Sequence, residues 1–334
     1  MKLDMSAAKS PPTWTLSGFH GRVRTSKKFN LFIVTEGTEG DSYFYDRIAK
    51  SSTDPLVQAV KIFPVAQITR KEFGENSKGN PGKDSVIRAY EATKNLHAFS
   101  YGHELNKKSI MFCVDRDFTD THAPFENEEH FVVTQQRDVE AEIIHNADPV
   151  LAIQHLVSKD SVDETKIVNT LGDWRIDLAK RWKDWLVLSM VAINLPSAPP
   201  GVSWSDSSLI NENIYGKVEA DKKLFFESKL IEKLGSRNQL EIKKREARAR
   251  ISMITSAHGR SSLVKGKWYP KYFGYMLPNI CETKTSRIQA NCLIAFISAL
   301  KYEANWSQYY KSKFEASFSS CDLTPKAELK SQLI

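Results

Sequence analysis

The chain has little cysteine, no long apolar run and no secretory leader pattern. Four of its 334 residues are cysteine (Cys113, Cys281, Cys292, Cys321), with no Cys-x-x-Cys pair and no histidine at zinc-finger spacing. This excludes a disulfide scaffold and a structural zinc, and the expected compartment is a reducing one, the cytoplasm. The best apolar run, Leu186 to Leu195, is interrupted by Ser189 and Asn194 and falls well short of the ~20 residues a bilayer requires. No membrane association is therefore expected. The first residues carry lysine, Pro11 and Pro12 but no apolar segment of the kind a signal peptide needs. A phosphate-binding loop is missing too. Lys83 and Lys267 each follow a glycine, yet Ser77 and Ser261 stand where the first glycine belongs. Asp84 and Trp268 likewise replace the required Ser or Thr. Both lysines are read as surface residues, and any ATP hydrolysis belongs to another chain.

What is present is an ordinary globular composition with an uneven charge. The chain is 41% hydrophobic and 26% charged, which separates it from disordered and fibrous classes. Its length suggests one large domain or two ordinary ones. The formal charge is +7, but the signs are segregated. Between Met111 and Asp148 ten acidic residues face only Arg116 and Arg137, whereas Ile231 to Lys271 holds eleven Lys or Arg against three Glu. An acidic pocket beside a basic surface suits a protein that holds a divalent cation against a polyanion.

Apolar patterning predicts the elements. Residues 30–35 form a short buried-strand run ending at Glu36-Gly37, and Asp41 to Ala49 has helical spacing, with Tyr43 and Phe44 expected to pack it on the sheet. Ala59 to Pro64 reads as a second strand. A Gly- and Asn-rich loop follows at 73–83, then a helix to about Leu96 with Asp84 as its N-cap. Ser109 to Val114 is the strongest strand signal and runs into Asp115-Arg116-Asp117. Phe131 to Thr134 is a fourth strand, followed by a helix over Asp138 to His145. Strands alternating with helices predict an α/β fold with a mostly parallel sheet flanked by helices, followed by a mainly α-helical domain. The expected division is a basic extension over 1–28, a catalytic domain over 29–150, a helical domain over 151–313 and a polar tail over 314–334. Trp174, Trp182 and Trp185 are assigned to the helical core.

Ligands of open α/β sheets sit beyond the carboxyl ends of the strands. There the chain places Glu36 after the first strand, Asp115 and Asp117 after the third, and Glu140 or Glu142 in the helix after the fourth. On extended backbone Asp115 and Asp117 point the same way and can address one ion. A carboxylate at a buried strand end is costly without a counter-charge, and carboxylates are the ligands of hard divalent cations. His122, His130 and His145 flank the stretch, but magnesium needs only oxygen ligands.

Ile33-Val-Thr-Glu36-Gly-Thr-Glu-Gly-Asp41-Ser-Tyr-Phe44, with Phe112-Cys-Val-Asp115-Arg-Asp117, resembles the toprim fold of topoisomerases, primases and OLD-type nucleases. Thr134-Gln-Gln-Arg-Asp138-Val-Glu140 is similar to the Thr-x3-Asp-x-Glu segment of the toprim branch that supplies the nuclease subunit of PARIS anti-phage systems. Val264-Lys-Gly266-Lys267-Trp268 is similar to that branch's Gly-Lys or Gly-His motif. The match spans residues 30 to 145 and, in the helical half, only that short motif. The branch's acid four residues after the first Glu is Gly40 here, with Asp41 taking the role and Glu39 in reserve.

The resemblance implies a magnesium- or manganese-dependent endonuclease in which Asp115 and Asp117 hold the metal and Glu36 is a ligand or proton-transfer group. Asp41 and Glu140 would complete a second ion or orient water. It further implies RNA such as transfer RNA in preference to DNA, a toxic role in anti-phage defence, and an ABC-type ATPase partner. A homodimer is the default assembly. Lys243, Lys244, Arg245, Arg248, Lys265 and Lys267 are the candidate nucleic-acid contacts, with aromatic neighbours able to stack on unpaired bases. The competing readings are a catalytically inactive subunit that binds nucleic acid or an ATPase, a DNA-directed toprim nuclease, and a primase-like nucleotidyl transferase.

Overall fold

The structure, a computed structural model, describes residues 14–37, 40–68, 82–103, 106–118, 120–157, 163–200, 219–279 and 284–319. Glu39, Cys281, Cys321 and most of the 73–83 loop lie outside them. In chain order the main elements are α1 (Leu16–Thr25), β1 (Leu31–Thr35), α2 (Gly40–Lys50), α3 (Pro55–Gln58), β2 (Val60–Pro64), α4 (Lys83–Asn95), β3 (Ser100–Tyr101), β4 (Lys108–Val114) and β5 (Phe131–Val133). Then come α5 (Val139–Asn146), α6 (Pro149–Leu156), α7 (Glu164–Leu171), α8 (Trp174–Arg181), α9 (Lys183–Ile193) and α10 (Ala220–Leu234). The remainder are α11 (Arg237–His258), α12 (Tyr269–Met276), α13 (Thr285–Ser298) and α14 (Gln308–Ser319). Among the described residues no helix is long and apolar enough to cross a membrane.

Contacts divide the chain into two compact units, differently from the contiguous division expected at 150. One comprises residues 1–114, 121–133 and 302–334; the other 115–120 and 134–301. The reason is visible at both ends of the chain. Helix α1 lies within the expected extension, but it buries Phe19 and Val23 completely. Helix α14 straddles the expected boundary between the helical domain and the polar tail, and it buries Tyr310 and Phe314. Both are packed parts of the sheet unit.

In that unit the strand order is β2-β1-β4-β3, with β5 also on β4. β1 is parallel to β2 and β4, and β5 is parallel to β4; only the two-residue β3 is antiparallel. β1 and β4 are buried along their whole length, as expected of strands covered on both faces. Phe32, Val34, Ile110 and Phe112 join Phe19 of α1 and Val86 and Tyr90 of α4 in one core cluster. On the other side Phe44 and Tyr45 of α2 meet Tyr310 of α14 at ring centroids of 5.4 and 6.2 Å. Tyr43 does not share this packing. It is 38% exposed, because it is Phe44, Tyr45 and Ile48 that fall on the inward face of the helix.

Helix α4 begins two residues earlier than predicted. Its N-cap is Gly82, and Asp84 sits in the first turn. Lys83, expected at the surface, is buried at 6% exposure. The helical unit contains α5 to α13. Trp174, Trp182 and Trp185 are all buried there, with Trp174 against Phe273 at 5.2 Å and Trp182 against Trp268 at 4.3 Å. Cys113 and Cys292 are buried free thiols.

Candidate metal and phosphate site

Because β1, β4 and β5 run parallel, the three strands end on the same side of the sheet, at Thr35, Val114 and Val133, and Glu36, Asp115 and Thr134 come next in sequence. Thr35 and Gly37 shape the first exit. The hydroxyl of Thr35 donates to the Gly37 carbonyl at 2.9 Å, and the Gly37 amide donates to Asp41 Oδ2 at 2.8 Å. Asp41, predicted as a metal ligand, thus ties the turn that carries half-buried Glu36. It also lies near Cys113, whose thiol is pushed up by burial and further by the Asp41 charge.

The helical unit builds the second group of acids. Thr134, fully buried, accepts the Arg116 amide at 2.9 Å and donates to the Gln136 carbonyl at 2.7 Å. Arg116 Nε donates to the Thr134 carbonyl at 2.9 Å. These bonds hold the Asp115-Arg116-Asp117 segment against the start of α5. Asp115 Oδ1 accepts the Val139 amide at 3.2 Å, and the N-terminal end of a helix favours such an anion. Asp115, Asp117 and Glu140 are all half-exposed. Glu142, the alternative to Glu140, is fully buried and accepts the Gln136 amide at 2.6 Å. That contact makes it a structural group.

Asp138 connects this cluster to the Gly-Lys motif. Its Oδ1 caps α5 by accepting the Ala141 amide at 2.8 Å, and the same carboxylate accepts the Gly266 amide at 2.9 and 3.2 Å. Burial pushes the Asp138 carboxyl up, opposed by those two amides and by Arg137 and Lys265. A Cβ at Gly266 would collide with the Ala141 nitrogen and the Glu140 Cβ. Only glycine brings the two backbones this close.

The cations at this cluster are specific. The Arg137 guanidinium lies over Phe118 at 3.7 Å and near Trp268 at 5.0 Å, and its Nη1 donates to the Leu263 carbonyl at 2.7 Å. Burial lowers its pKa to about 10, so it remains charged at neutral pH. Arg137, Arg250 and Lys265 are all within electrostatic reach of Asp117. Lys265 is held below its ordinary pKa by burial and by Arg137. Lys267 is exposed.

Within each unit, among the described residues, no group of three His, Cys, Asp or Glu is placed to hold a metal ion. The donor chemistry fits magnesium rather than an all-protein cage, because magnesium keeps several waters and uses one or two carboxylates with substrate phosphates. Asp115 and Asp117 are two half-exposed carboxylates of that chemistry, one residue apart in the chain. Two of the flanking histidines have other partners. His130 stacks on Phe99 at 4.6 Å and donates from Nδ1 to the Ile110 carbonyl at 3.0 Å. Burial lowers it to about 4. His145 Nε2 meets the Tyr269 hydroxyl at 2.6 Å, and burial lowers it to about 3. The side chain of His122 lies outside what the structure describes.

No family model, curated protein or solved structure matches the chain.

On α11 the predicted basic face loses one member. Lys244 is buried at 8% exposure between Glu227, at 2.6 Å, and Glu241, at 2.8 Å. Burial alone would lower its pKa, but the two carboxylates outweigh it and raise it. Lys243 pairs with Glu246 at 2.7 Å, while Arg245 and Arg248 remain exposed. Sequence reasoning missed Arg137 as a buried cation, because its partners Phe118, Leu263 and Trp268 are remote along the chain. The Asp138–Gly266 clamp had a signal, namely a glycine inside a short motif, but not its partner.

Proposed function

We propose that this chain is a divalent-metal-dependent nuclease that hydrolyses phosphodiester bonds in nucleic acid, RNA in preference to DNA. One observation carries the reading: parallel β1, β4 and β5 end on one edge, and acids follow immediately at Glu36, Asp115 and Asp117. Glu140 stands in the first turn of the helix after β5. Asp115, Asp117 and Glu140 of the helical unit would hold magnesium or manganese, and it is the toprim resemblance that adds Glu36 and Asp41 of the sheet unit as the further carboxylates. When bound, such an ion activates water and neutralises charge on the scissile phosphate. The chain's own part is to orient the carboxylates, through Thr134 and Val139, and to supply fixed cations for the polyanion. The toprim resemblance extends the proposal to a cytoplasmic anti-phage effector acting on transfer RNA, restrained by an ABC-type ATPase and dimeric when active.

A second reading has its own support. Three cations near Asp117 also suit a subunit that binds nucleic acid without cutting it. The test is incubation of the full chain with total RNA and with plasmid DNA, in manganese or in EDTA. Metal-dependent cleavage of RNA is expected. Binding without cleavage in either condition supports the second reading, and cleavage that EDTA leaves unchanged rules out the metal.

A further inference from the structure

Outside this site, the sheet unit has a cleft of about 770 Å³ between α2 and the edge strand β2. Lys28, Phe29, Tyr43, Asp46, Lys50 and Lys61 are among the residues that line it. Three lysines face one carboxylate, and Asp46 is already paired with Lys50 at 2.7 Å. Arg47 adds a cation 5.2 Å over the exposed Tyr43 ring. The Phe29 ring lies beside Lys28 at 5.3 Å and Lys61 at 5.9 Å. Ser42, next in sequence to Asp41, also lines the cleft, so one end of it adjoins the turn that carries Glu36.

A cationic groove with one exposed ring, Tyr43, and one half-buried ring, Phe29, has the chemistry of single-strand recognition. Lysines follow the phosphates, and rings stack on bases that are not paired. An acidic peptide added along β2 would use the charges but would make no particular use of Tyr43. We propose that the cleft between α2 and β2 is a path for single-stranded nucleic acid, with phosphates on Lys28 and Lys61 and bases on Phe29 and Tyr43. This rests on the nucleic-acid reading above and locates the strand on the sheet unit rather than on α11.

The test is fluorescence anisotropy of the full chain with a fluorescein-labelled 12-nucleotide RNA, in EDTA, across 50–200 mM KCl. Lys28→Glu and Lys61→Glu should each weaken binding at least fivefold and reduce the salt slope by about one. Tyr43→Ala should weaken it about fivefold or more with the slope unchanged. Lys183→Glu, an equal charge change at an exposed position in the other unit, should stay within twofold. Circular dichroism verifies that the variants fold. The proposal is overturned if the cleft variants bind like Lys183→Glu, if Tyr43→Ala has no effect, or if an acidic peptide binds the cleft in place of RNA. Binding through the cleft with no cleavage in metal defeats the nuclease reading and leaves this inference standing. Cleavage by a chain whose cleft variants bind RNA normally does the reverse.

Discussion

Replacing Asp138 by alanine would leave the Ala141 and Gly266 amides without their acceptor, in a place where Asp138 itself is only 6% exposed. Loss of the cap costs about 1 kcal/mol, and a stranded buried donor about 1–3 kcal/mol more. Asp138→Ala should therefore lose about 2–4 kcal/mol in urea unfolding. Gly266→Ala should be destabilising as well, because the added methyl meets backbone rather than a side chain that can turn aside. Unchanged stability in both variants would mean that the clamp does not hold the two segments together. Such residue-scale detail was partly legible beforehand. Asp115 and Asp117 announce themselves as alternate acids after an apolar strand. The burial of Lys244 does not, since its basic neighbours in sequence give no sign of Glu227 across the α10–α11 pair.

At the scale of elements, strands and helices could be read from periodicity wherever the apolar pattern was local. β1 and β4 are continuous apolar runs, and the structure places them centrally in a parallel sheet. What escaped the sequence was membership. α14 has polar residues at Gln308, Lys311 and Ser312 that mask the stripe Tyr310, Phe314 and Phe318, and the partners of that stripe on α2 lie over 250 positions earlier. Alpha-helical propensity says nothing about such a return to the first unit. Phe314 is fully buried, with its ring 6.4 Å from Tyr45. Phe314→Ala should cost about 3–5 kcal/mol, read as a lower urea midpoint. A shift within error would mean that α14 is a dispensable appendage, as the polar tail reading had it.

For the whole molecule, the chain passes between the two units four times, so each unit's stability bears on the segments that carry the acids. Histidines buried uncharged occur in both units, among them His130 in one and His145 in the other. Their folded pKa values, about 4 and about 3, lie below the ordinary 6.5. Between pH 6.5 and 4 the unfolded chain therefore takes up protons that the native one refuses, and stability falls as pH falls. At pH 5 the loss should be about 2 kcal/mol for each histidine. Urea unfolding at pH 7 and pH 5 checks this. His130→Gln or His145→Gln should flatten the dependence, and equal slopes with and without the histidines would contradict it.

The central claim is that the two carboxylates that follow β4, Asp115 and Asp117, work together on a divalent ion. Its most direct test is the initial rate of RNA cleavage in manganese by Asp115→Ala and Asp117→Ala, compared with wild type and with Lys183→Glu. The account predicts cleavage by wild type and Lys183→Glu at similar rates, and a loss of about 100-fold or more in both aspartate variants, a scale typical of removing one catalytic group. Equal rates in all four proteins, or no cleavage by wild type, would contradict it.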